Sequence, residues 1–252
     1  MKILGSDYDG TLKQEGSVTE EDLLAIRKFR AEGNRFGIIT GRSVSMIRYE
    51  LEAWKIPVDF LVCSNGGVIA GADYRILNRF DIGLPVAMEL IADLEQDKKV
   101  MFGISDGDRF GTLQEGKLSQ IPEDPLLTKG QMDAGEILAC GIVNSFFVRC
   151  PDTEETFALC RRLSGKYGGR LSFYPNRDVF DVVAAGVSKS AGAMAVMRHF
   201  GETCHVIGDG YNDLPMIRDF QGFSVESAPE DVKAEAVKIY RSVGECLKEL
   251  MK

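Results

Sequence analysis

The stretch Met1-Lys-Ile-Leu-Gly-Ser-Asp-Tyr-Asp-Gly-Thr-Leu12 begins with a short apolar run and continues directly into two aspartates, Asp7 and Asp9. The apolar run predicts a short, buried β-strand at residues 2–6. Two carboxylates so close together repel each other and raise each other's pKa. Something must compensate for that repulsion, and a bound cation is the commonest answer. The stretch therefore predicts a buried strand that ends at a cation site.

The alternation of strands and helices predicts the architecture. Strands and helices alternate up to about residue 80 and again from residue 189, which indicates βαβ units and a mainly parallel sheet. Between these parts, runs of strands lie beside single helices, and residues 116–136 are irregular. We therefore predict an α/β fold with a doubly wound, mainly parallel Rossmann-like core at residues 1–81 and 184–252. We also predict that an α+β cap domain is inserted into this core at residues 82–183.

Composition restricts the class of function. The 252 residues carry a formal net charge of −8, which argues against nonspecific binding to nucleic acid or to an anionic membrane. Six cysteines without a Cys-x-x-Cys pair and two histidines make a zinc site or a histidine-based catalytic site a poor expectation. Because the N-terminus lacks a signal-peptide pattern and no apolar stretch reaches membrane-spanning length, we expect a cytoplasmic protein with no membrane partner.

Polar residues that can carry chemistry occur in four clusters. Three of the clusters directly follow predicted buried strands of the core, and the carboxyl ends of parallel strands share one edge of a sheet. Taken singly, each is typical of a turn or of a solvated helix start, whereas together they predict one shared site. The clusters are Asp7 with Asp9; Thr40; Lys189; and Asp209 with Asn212 and Asp213.

These side chains fit phosphoryl transfer. Carboxylate oxygens are ligands that Mg²⁺ prefers, and a carboxylate can attack a phosphoryl group to form an aspartyl-phosphate. The Lys189 ammonium and the Thr40 hydroxyl can hold phosphoryl oxygens. With only two histidines in the chain, a second carboxylate has to transfer protons, and Asp9 is the natural candidate.

With these clusters, the sequence resembles the haloacid dehalogenase (HAD) superfamily of phosphohydrolases. Within the superfamily it is most similar to the Cof-type, sugar-phosphatase-like branch, which carries a large α/β cap. The four motifs that carry the resemblance are Asp7-Tyr-Asp-Gly-Thr-Leu12, Thr40-Gly-Arg42, Gly186-Val-Ser-Lys189 and Gly208-Asp-Gly-Tyr-Asn-Asp213. Ser6, Ser190-Ala191 and Ser227 depart from the family's usual residues, but none of these departures removes a catalytic group.

The resemblance implies a role for each motif. Asp7 would be the nucleophile and a metal ligand, and Asp9 would be the general acid and base, with its backbone carbonyl on the metal. The implied catalytic residues are Asp7, Asp9, Thr40 and Lys189. The implied Mg²⁺ ligands are Asp7, Asp9, Asp209 and Asp213. The implied phosphate or substrate contacts are Thr40, Gly41, Asn65, Lys189 and Asn212.

The expected function is that of a Mg²⁺-dependent phosphatase. It would hydrolyse a small phosphorylated metabolite, such as a sugar phosphate, through an aspartyl-phosphate on Asp7. The cap would close over the site and select the leaving group by contacting it. Two alternatives remain: a phosphomutase or phosphotransferase of the same superfamily, and a phospho-aspartate receiver module that does not turn over. We expect a monomer or a weak homodimer.

Overall fold

The computed structural model describes residues 1–114, 133–176 and 178–252. Most of the stretch predicted to be irregular, 116–136, therefore lies outside the described residues. The strands are β1 (Ile3–Ser6), β2 (Arg35–Ile39), β3 (Phe60–Cys63), β4 (Val68–Gly71), β5 (Ile76–Arg79), β6 (Met101–Ser105), β7 (Phe110–Gln114), β8 (Ser145–Arg149), β9 (Leu171–Asn176), β10 (Val179–Ala184), β11 (Cys204–Gly208), β12 (Phe223–Val225) and β13 (Lys238–Tyr240). The helices are α1 (Glu20–Ala31), α2 (Val44–Trp54), α3 (Leu84–Leu94), α4 (Ala134–Ala139), α5 (Thr153–Tyr167), α6 (Lys189–Phe200), α7 (Leu214–Asp219), α8 (Glu230–Lys233) and α9 (Val243–Leu250).

The larger sheet has the strand order β13-β12-β11-β1-β2-β3-β4-β5. The strands from β13 to β3 are parallel, while β4 and β5 add an antiparallel edge. A second sheet, in the order β7-β6-β8-β10-β9, is antiparallel throughout. The predicted fold class, a mainly parallel α/β core with an additional α+β unit, is confirmed.

The central strand β1 shows why the core is doubly wound. All four of its residues are buried, and it pairs with β11 on one side and β2 on the other. Successive side chains of a strand point to opposite faces, so Leu4 packs in one apolar cluster and Ile3 in another. Helices α1, α2 and α9 cover the first face and α6 covers the second. The charged groups after β1 are thereby fixed at the strand's carboxyl end.

The second sheet has an apolar core of its own and touches the larger sheet through specific contacts. Its cluster includes Phe102, Phe146 and Phe180 together with residues of α3 and α5. The Asn144 side chain donates to the carbonyl of Gly67 at 3.1 Å and to that of Phe80 at 3.0 Å. These hydrogen bonds join the residue before β8 to the two ends of the β4–β5 hairpin.

Two local features differ from the sequence-based expectations. The β4–β5 hairpin was not predicted, and it extends the larger sheet beyond β3. Pro175 was predicted in a turn but lies inside β9, opposite Phe180 of β10. A proline is tolerated there because β9 is an edge strand, where its missing N–H need not pair with a neighbour.

Within the described ranges, no helix has both the length and the apolar character required to span a bilayer.

Asp22 joins the first helix of the chain to the last one. Its Oδ1 accepts from the Gly244 amide at 2.6 Å, a first-turn N–H of α9 that has no partner within its own helix. Its Oδ2 accepts from the hydroxyl of Thr19, the N-cap of α1, at 2.5 Å. Because Asp22 and Gly244 are both buried, removal of Asp22 leaves the Gly244 amide without a partner.

We predict that Asp22→Ala lowers the free energy of unfolding by about 1–3 kcal/mol, the usual cost of leaving a buried donor unpaired. Urea denaturation followed by circular dichroism measures this change. Glu20→Ala is the matched control, since Glu20 lies in the same helical turn but is exposed. Equal stability of the two variants would contradict the prediction.

Candidate active site

The site forms where two neighbouring parallel strands end. Asp7 follows β1 and Asp209 follows β11, and the Asp7 amide donates to the carbonyl of Ile207 at 2.9 Å. Asp213 reaches the same point from the turn that precedes α7. Ligand oxygens of Asp7, Asp209 and Asp213 all lie within 4.8 Å of one another, and all three residues are buried. The strand ends thus bring together carboxylates separated by about 200 residues of chain.

Lys189, the first residue of α6, connects the carboxylates. Its Nζ lies 2.6 Å from Oδ1 of Asp7 and 2.6 Å from Oδ1 of Asp213, and its side chain is 1% exposed. Burial by itself would lower the pKa of Lys189, but the two carboxylates outweigh it and raise that pKa, so the ammonium stays charged. The Ser188 hydroxyl caps α6 by accepting from the Ala191 amide, and so fixes the start of the helix at Lys189.

The cluster carries more negative than positive charge. Burial raises the pKa of Asp7 well above its usual value, with the charges of Asp213 and Asp209 adding to the rise and Lys189 opposing it. Burial also raises the pKa of Asp209. Three carboxylates around one ammonium leave an excess of two negative charges if all are ionised. One divalent cation would neutralise that excess, and a donor set made of oxygen atoms fits Mg²⁺.

Hydrogen bonds and close packing from the surrounding loops hold the carboxylates of Asp209 and Asp213 in place. The Thr11 hydroxyl donates to Oδ1 of Asp209 at 2.6 Å, and Oδ2 of Asp213 accepts from the amides of Asp209 at 3.1 Å and Gly210 at 2.8 Å. Gly10 has φ +92° and lies directly against the Asp209 carboxylate, so a side chain there would be both strained and blocked. Each carboxylate orientation is therefore set by partners other than a metal.

A second set of polar groups lies beside the carboxylates. Asn65 Nδ2 donates to Oδ2 of Asp181 at 2.6 Å, and Asn212 Nδ2 donates to Oδ1 of Asn65 at 3.2 Å. A Cβ atom on Gly41 would lie 2.7 Å from the same Asp181 oxygen. Thr40 directly follows β2, and its Oγ1 accepts from the Arg42 amide at 3.2 Å. The predicted substrate contacts Gly41, Asn65 and Asn212 are thus brought together.

Asp9 occupies a different environment from Asp7. Both of its carboxylate oxygens accept from Arg42, Oδ2 from Nε and Oδ1 from Nη2, each at 2.7 Å. Its side chain is 51% exposed and is not one of the three clustered carboxylates. In this conformation the predicted general acid and base lies at the rim of the site, held by a guanidinium group.

Two residues near the site were not found by the sequence analysis. Asp181 comes from β10 of the second sheet, and burial raises its pKa to about 6. The signal was present in the sequence, because a lone carboxylate in the strand Val179-Phe-Asp-Val-Val-Ala184 interrupts an otherwise apolar run. Glu50, in α2, is fully buried and binds Arg42. Nothing in the sequence distinguishes it from the exposed glutamates of other helices.

The comparisons with known proteins concern the family and the fold of this chain. The model of a family described as haloacid dehalogenase-like hydrolase matches residues 4–245. No curated protein sequence matches the chain. A haloacid dehalogenase-like hydrolase from B. subtilis has a similar structure, with a TM-score of 0.86 and 19% identity over 99% of this chain and 100% of that one.

Two further solved structures are similar over almost their whole length. One is described as a sugar phosphatase of HAD subclass IIB, with a TM-score of 0.80 and 22% identity over 100% of this chain and 99% of that one. Another, described as a HAD/Cof-like hydrolase from Plasmodium vivax, has a TM-score of 0.82 and 22% identity over 100% of this chain and 95% of that one. At these identities the likeness concerns the fold.

The family match covers almost the whole chain and includes all four motifs on which the resemblance was based. The resemblance to this family that the sequence motifs indicated is therefore confirmed, and the chain belongs to the haloacid dehalogenase-like hydrolases.

Proposed function

We propose that the protein is a Mg²⁺-dependent phosphatase that hydrolyses a small phosphomonoester, a sugar phosphate or a related metabolite, with Asp7 as the nucleophile. One observation carries the proposal: the Asp7 carboxylate lies 2.6 Å from the Lys189 ammonium inside a buried cluster of three carboxylates. A carboxylate that is desolvated, oriented by a cation and placed at a strand end has the environment of an activated nucleophile.

The reaction proceeds in two steps that leave the enzyme unchanged. In the first, an oxygen of Asp7 forms a bond to phosphorus, the bond from phosphorus to the leaving oxygen breaks, and Asp9 gives that oxygen its proton. In the second, a water molecule attacks the phosphorus of the aspartyl-phosphate while Asp9 takes up a proton from it. The bond between Asp7 and phosphorus breaks, and inorganic phosphate leaves.

The groups around Asp7 can hold the phosphoryl oxygens. Two N–H bonds of the Lys189 ammonium point at Asp7 and Asp213, and the third can be donated to the transferred group. The Thr40 oxygen accepts from the Arg42 amide, so its own proton can be donated to phosphate. With the Gly41 amide, these donors stabilise the charge that develops on the phosphoryl group.

The residues that would hold Mg²⁺ are Asp7, Asp209 and Asp213, with the backbone carbonyl of Asp9 as a further oxygen ligand. When bound, the ion supplies charge neutralisation between the phosphate and the attacking carboxylate. The excess negative charge of the cluster supports this assignment.

We propose further that residues 82–183 act as a cap over a core made of residues 1–81 and 184–252. Asp181 supports this proposal, because its carboxyl group reaches down from the second sheet to Asn65 and faces Gly41. A carboxylate at that position accepts hydrogen bonds from hydroxyl groups, which suits a polyhydroxylated leaving group. A structural neighbour is described as a sugar phosphatase, which supports the same substrate class.

Asp7→Asn should abolish turnover while leaving the fold intact, since the amide fits the same space but is not a nucleophile. Release of inorganic phosphate from p-nitrophenyl phosphate and from a panel of phosphorylated metabolites, with Mg²⁺ present, measures the activity. We expect a loss of at least about 10³-fold, a small part of the roughly 10⁶-fold or greater acceleration that enzymes supply. Turnover by Asp7→Asn at the rate of the unsubstituted protein would refute the assignment of the nucleophile. A stable phosphoprotein formed by the unsubstituted protein without turnover would favour a receiver module.

Mg²⁺ should raise the temperature of thermal unfolding, because an ion that binds only the folded state stabilises it, by about 2.7 kcal/mol at 100 times its Kd. Asp209→Asn should lose most of this increase. In EDTA the same variant should unfold at or above the temperature of the unsubstituted protein, since it carries one fewer like charge in the cluster.

Asp106→Asn is the matched control for this measurement. Asp106 is a buried carboxylate paired with Arg109 in the turn between β6 and β7, so its substitution should leave the response to Mg²⁺ unchanged. If Mg²⁺ raised the unfolding temperature of Asp209→Asn as much as that of the unsubstituted protein, the proposed metal ligands would be contradicted.

Asp181 gives a prediction about pH. Its pKa is raised from 3.8 to about 6, so the folded protein binds this proton more tightly than the unfolded chain does. The resulting stabilisation is complete below about pH 4 and is lost as the pH rises through 6. Asp181→Asn has no such titration, so its unfolding temperature relative to the unsubstituted protein should increase between pH 4 and pH 7. Thermal scans in EDTA at constant ionic strength measure this difference, and a constant difference would contradict the prediction.

A further inference from the structure

Glu50 is a fully buried carboxylate with an unusual number of partners. It accepts from the Tyr8 hydroxyl at 2.7 Å, from Lys13 Nζ at 2.8 and 3.0 Å, and from Arg42 Nη1 at 3.1 Å. We call these four residues the Glu50 cluster. A buried charge of this kind is costly unless it is fully paired, so the helix α2 must present Glu50 to these partners in one geometry.

The Glu50 cluster is connected to the proposed proton-transfer residue through one guanidinium group. Arg42 uses Nη1 for Glu50, while its Nε and Nη2 hold both carboxylate oxygens of Asp9. The same guanidinium lies 5.4 Å from the centre of the Tyr8 ring. Because the guanidinium is planar and rigid, contact with Glu50 on one side fixes the direction in which it presents its N–H groups to Asp9 on the other.

Asp9 needs such support more than Asp7 does. Asp7 is buried and tied to Lys189, whereas half of the Asp9 side chain is exposed, and its ion pair is with Arg42. A half-exposed side chain without a fixed partner populates several rotamers. Proton transfer to a leaving oxygen requires hydrogen-bond geometry, so lost positioning of Asp9 lowers the rate of that step.

We infer that Glu50 is a positioning residue for proton transfer at the leaving group: it fixes Arg42, and Arg42 fixes the carboxyl group of Asp9. Glu50 itself touches neither substrate nor the reacting atoms. The inference rests on the proposed function. It separates Glu50 from a purely structural buried charge, because a positioning role acts on one chemical step and not on all of them.

That step can be isolated through the leaving group. As Asp7 bonds to phosphorus, the leaving oxygen departs with the electron pair and takes the proton of Asp9. A basic leaving oxygen depends on that proton, whereas nitrophenolate departs well without it. Phenyl phosphate and p-nitrophenyl phosphate have similar shapes and differ mainly in this respect. The ratio kcat/KM reports the steps up to formation of the aspartyl-phosphate, so hydrolysis of the intermediate does not mask the effect.

The experiment measures kcat/KM of Glu50→Gln with both esters. Glutamine keeps the shape of the side chain but removes its charge and turns an N–H group toward Arg42 or Lys13, so Arg42 loses its fixed orientation. We expect kcat/KM to fall at least about tenfold with phenyl phosphate, which is part of the ~10²–10⁴-fold that a general acid contributes, and less than about threefold with p-nitrophenyl phosphate. Arg42→Lys should give the same selective loss, since an ammonium group cannot hold both carboxylates in the same way.

Asp59→Asn is the matched control for a structural effect. Asp59 is a largely buried carboxylate that binds Arg30 Nε at 2.8 Å and Arg35 Nη1 at 3.2 Å, but it precedes β3 at the opposite end of the sheet. We expect it to lower the unfolding temperature as Glu50→Gln does and to leave the ratio of kcat/KM between the two esters unchanged.

Asp9→Asn provides the second comparison, because removal of the proton donor should cancel the effect of Glu50. The double variant Asp9→Asn, Glu50→Gln should be no slower with phenyl phosphate than Asp9→Asn alone. Equal losses with both esters, no loss with phenyl phosphate, or full additivity in the double variant would each overturn the inference. If the unsubstituted protein hydrolyses neither ester nor any phosphorylated metabolite of the panel, the proposed function fails, and the inference fails with it.

Discussion

The ammonium group of Lys189 is the interaction on which the arrangement of the core depends. It is almost completely buried and binds Asp7, which lies 182 residues away in the chain, and Asp213, which lies 24 residues away. A buried charge without a partner costs several kcal/mol, so the start of α6, the end of β1 and the turn before α7 have to meet. The strand order places β1 beside β11 and brings these three points together. The requirement to pair this one charge and the requirement to bury the strands therefore lead to the same geometry.

Asp7 and Asp9 show how one loop gives two identical side chains different properties. Asp7 is enclosed by two other carboxylates and one ammonium, and burial raises its pKa, while Asp9 is half exposed and paired with a guanidinium. Environments that differ in this way are what separates a nucleophile from a proton-transfer group in enzymes with paired carboxylates. Tyr8, between them, is fully buried, and its hydroxyl donates to Glu50. The residue that separates the two aspartates thus also anchors the groups that hold Asp9.

The sequence was sufficient to predict the parallel core and the meeting of Asp7, Lys189, Asp209 and Asp213, because polar residues that follow buried parallel strands share one edge of the sheet. It was not sufficient for Asp181 or Glu50. The position of Asp181 depends on how the second sheet lies over the first, which local residue patterns do not encode. Glu50 lies in a helix whose other charged residues are exposed or half exposed, and only the packing of α2 against the loop after β1 buries it. The β4–β5 hairpin was missed because its strands are four residues long and follow a glycine-rich turn.

The side chain of Asn65 connects the loop that carries Asn212 to the second sheet. Its amide N–H group donates to Asp181, and its amide oxygen accepts from Asn212, so neither half of the amide can rotate without breaking a hydrogen bond. Its backbone has φ 51°, a left-handed conformation that asparagine tolerates better than most residues. A displacement of β10 therefore alters Asn65, and through it Asn212 in the loop that also carries Asp209 and Asp213. In this protein the residues that would select the leaving group and those that would hold the phosphate form one hydrogen-bonded network, so a change in one set also changes the geometry of the other.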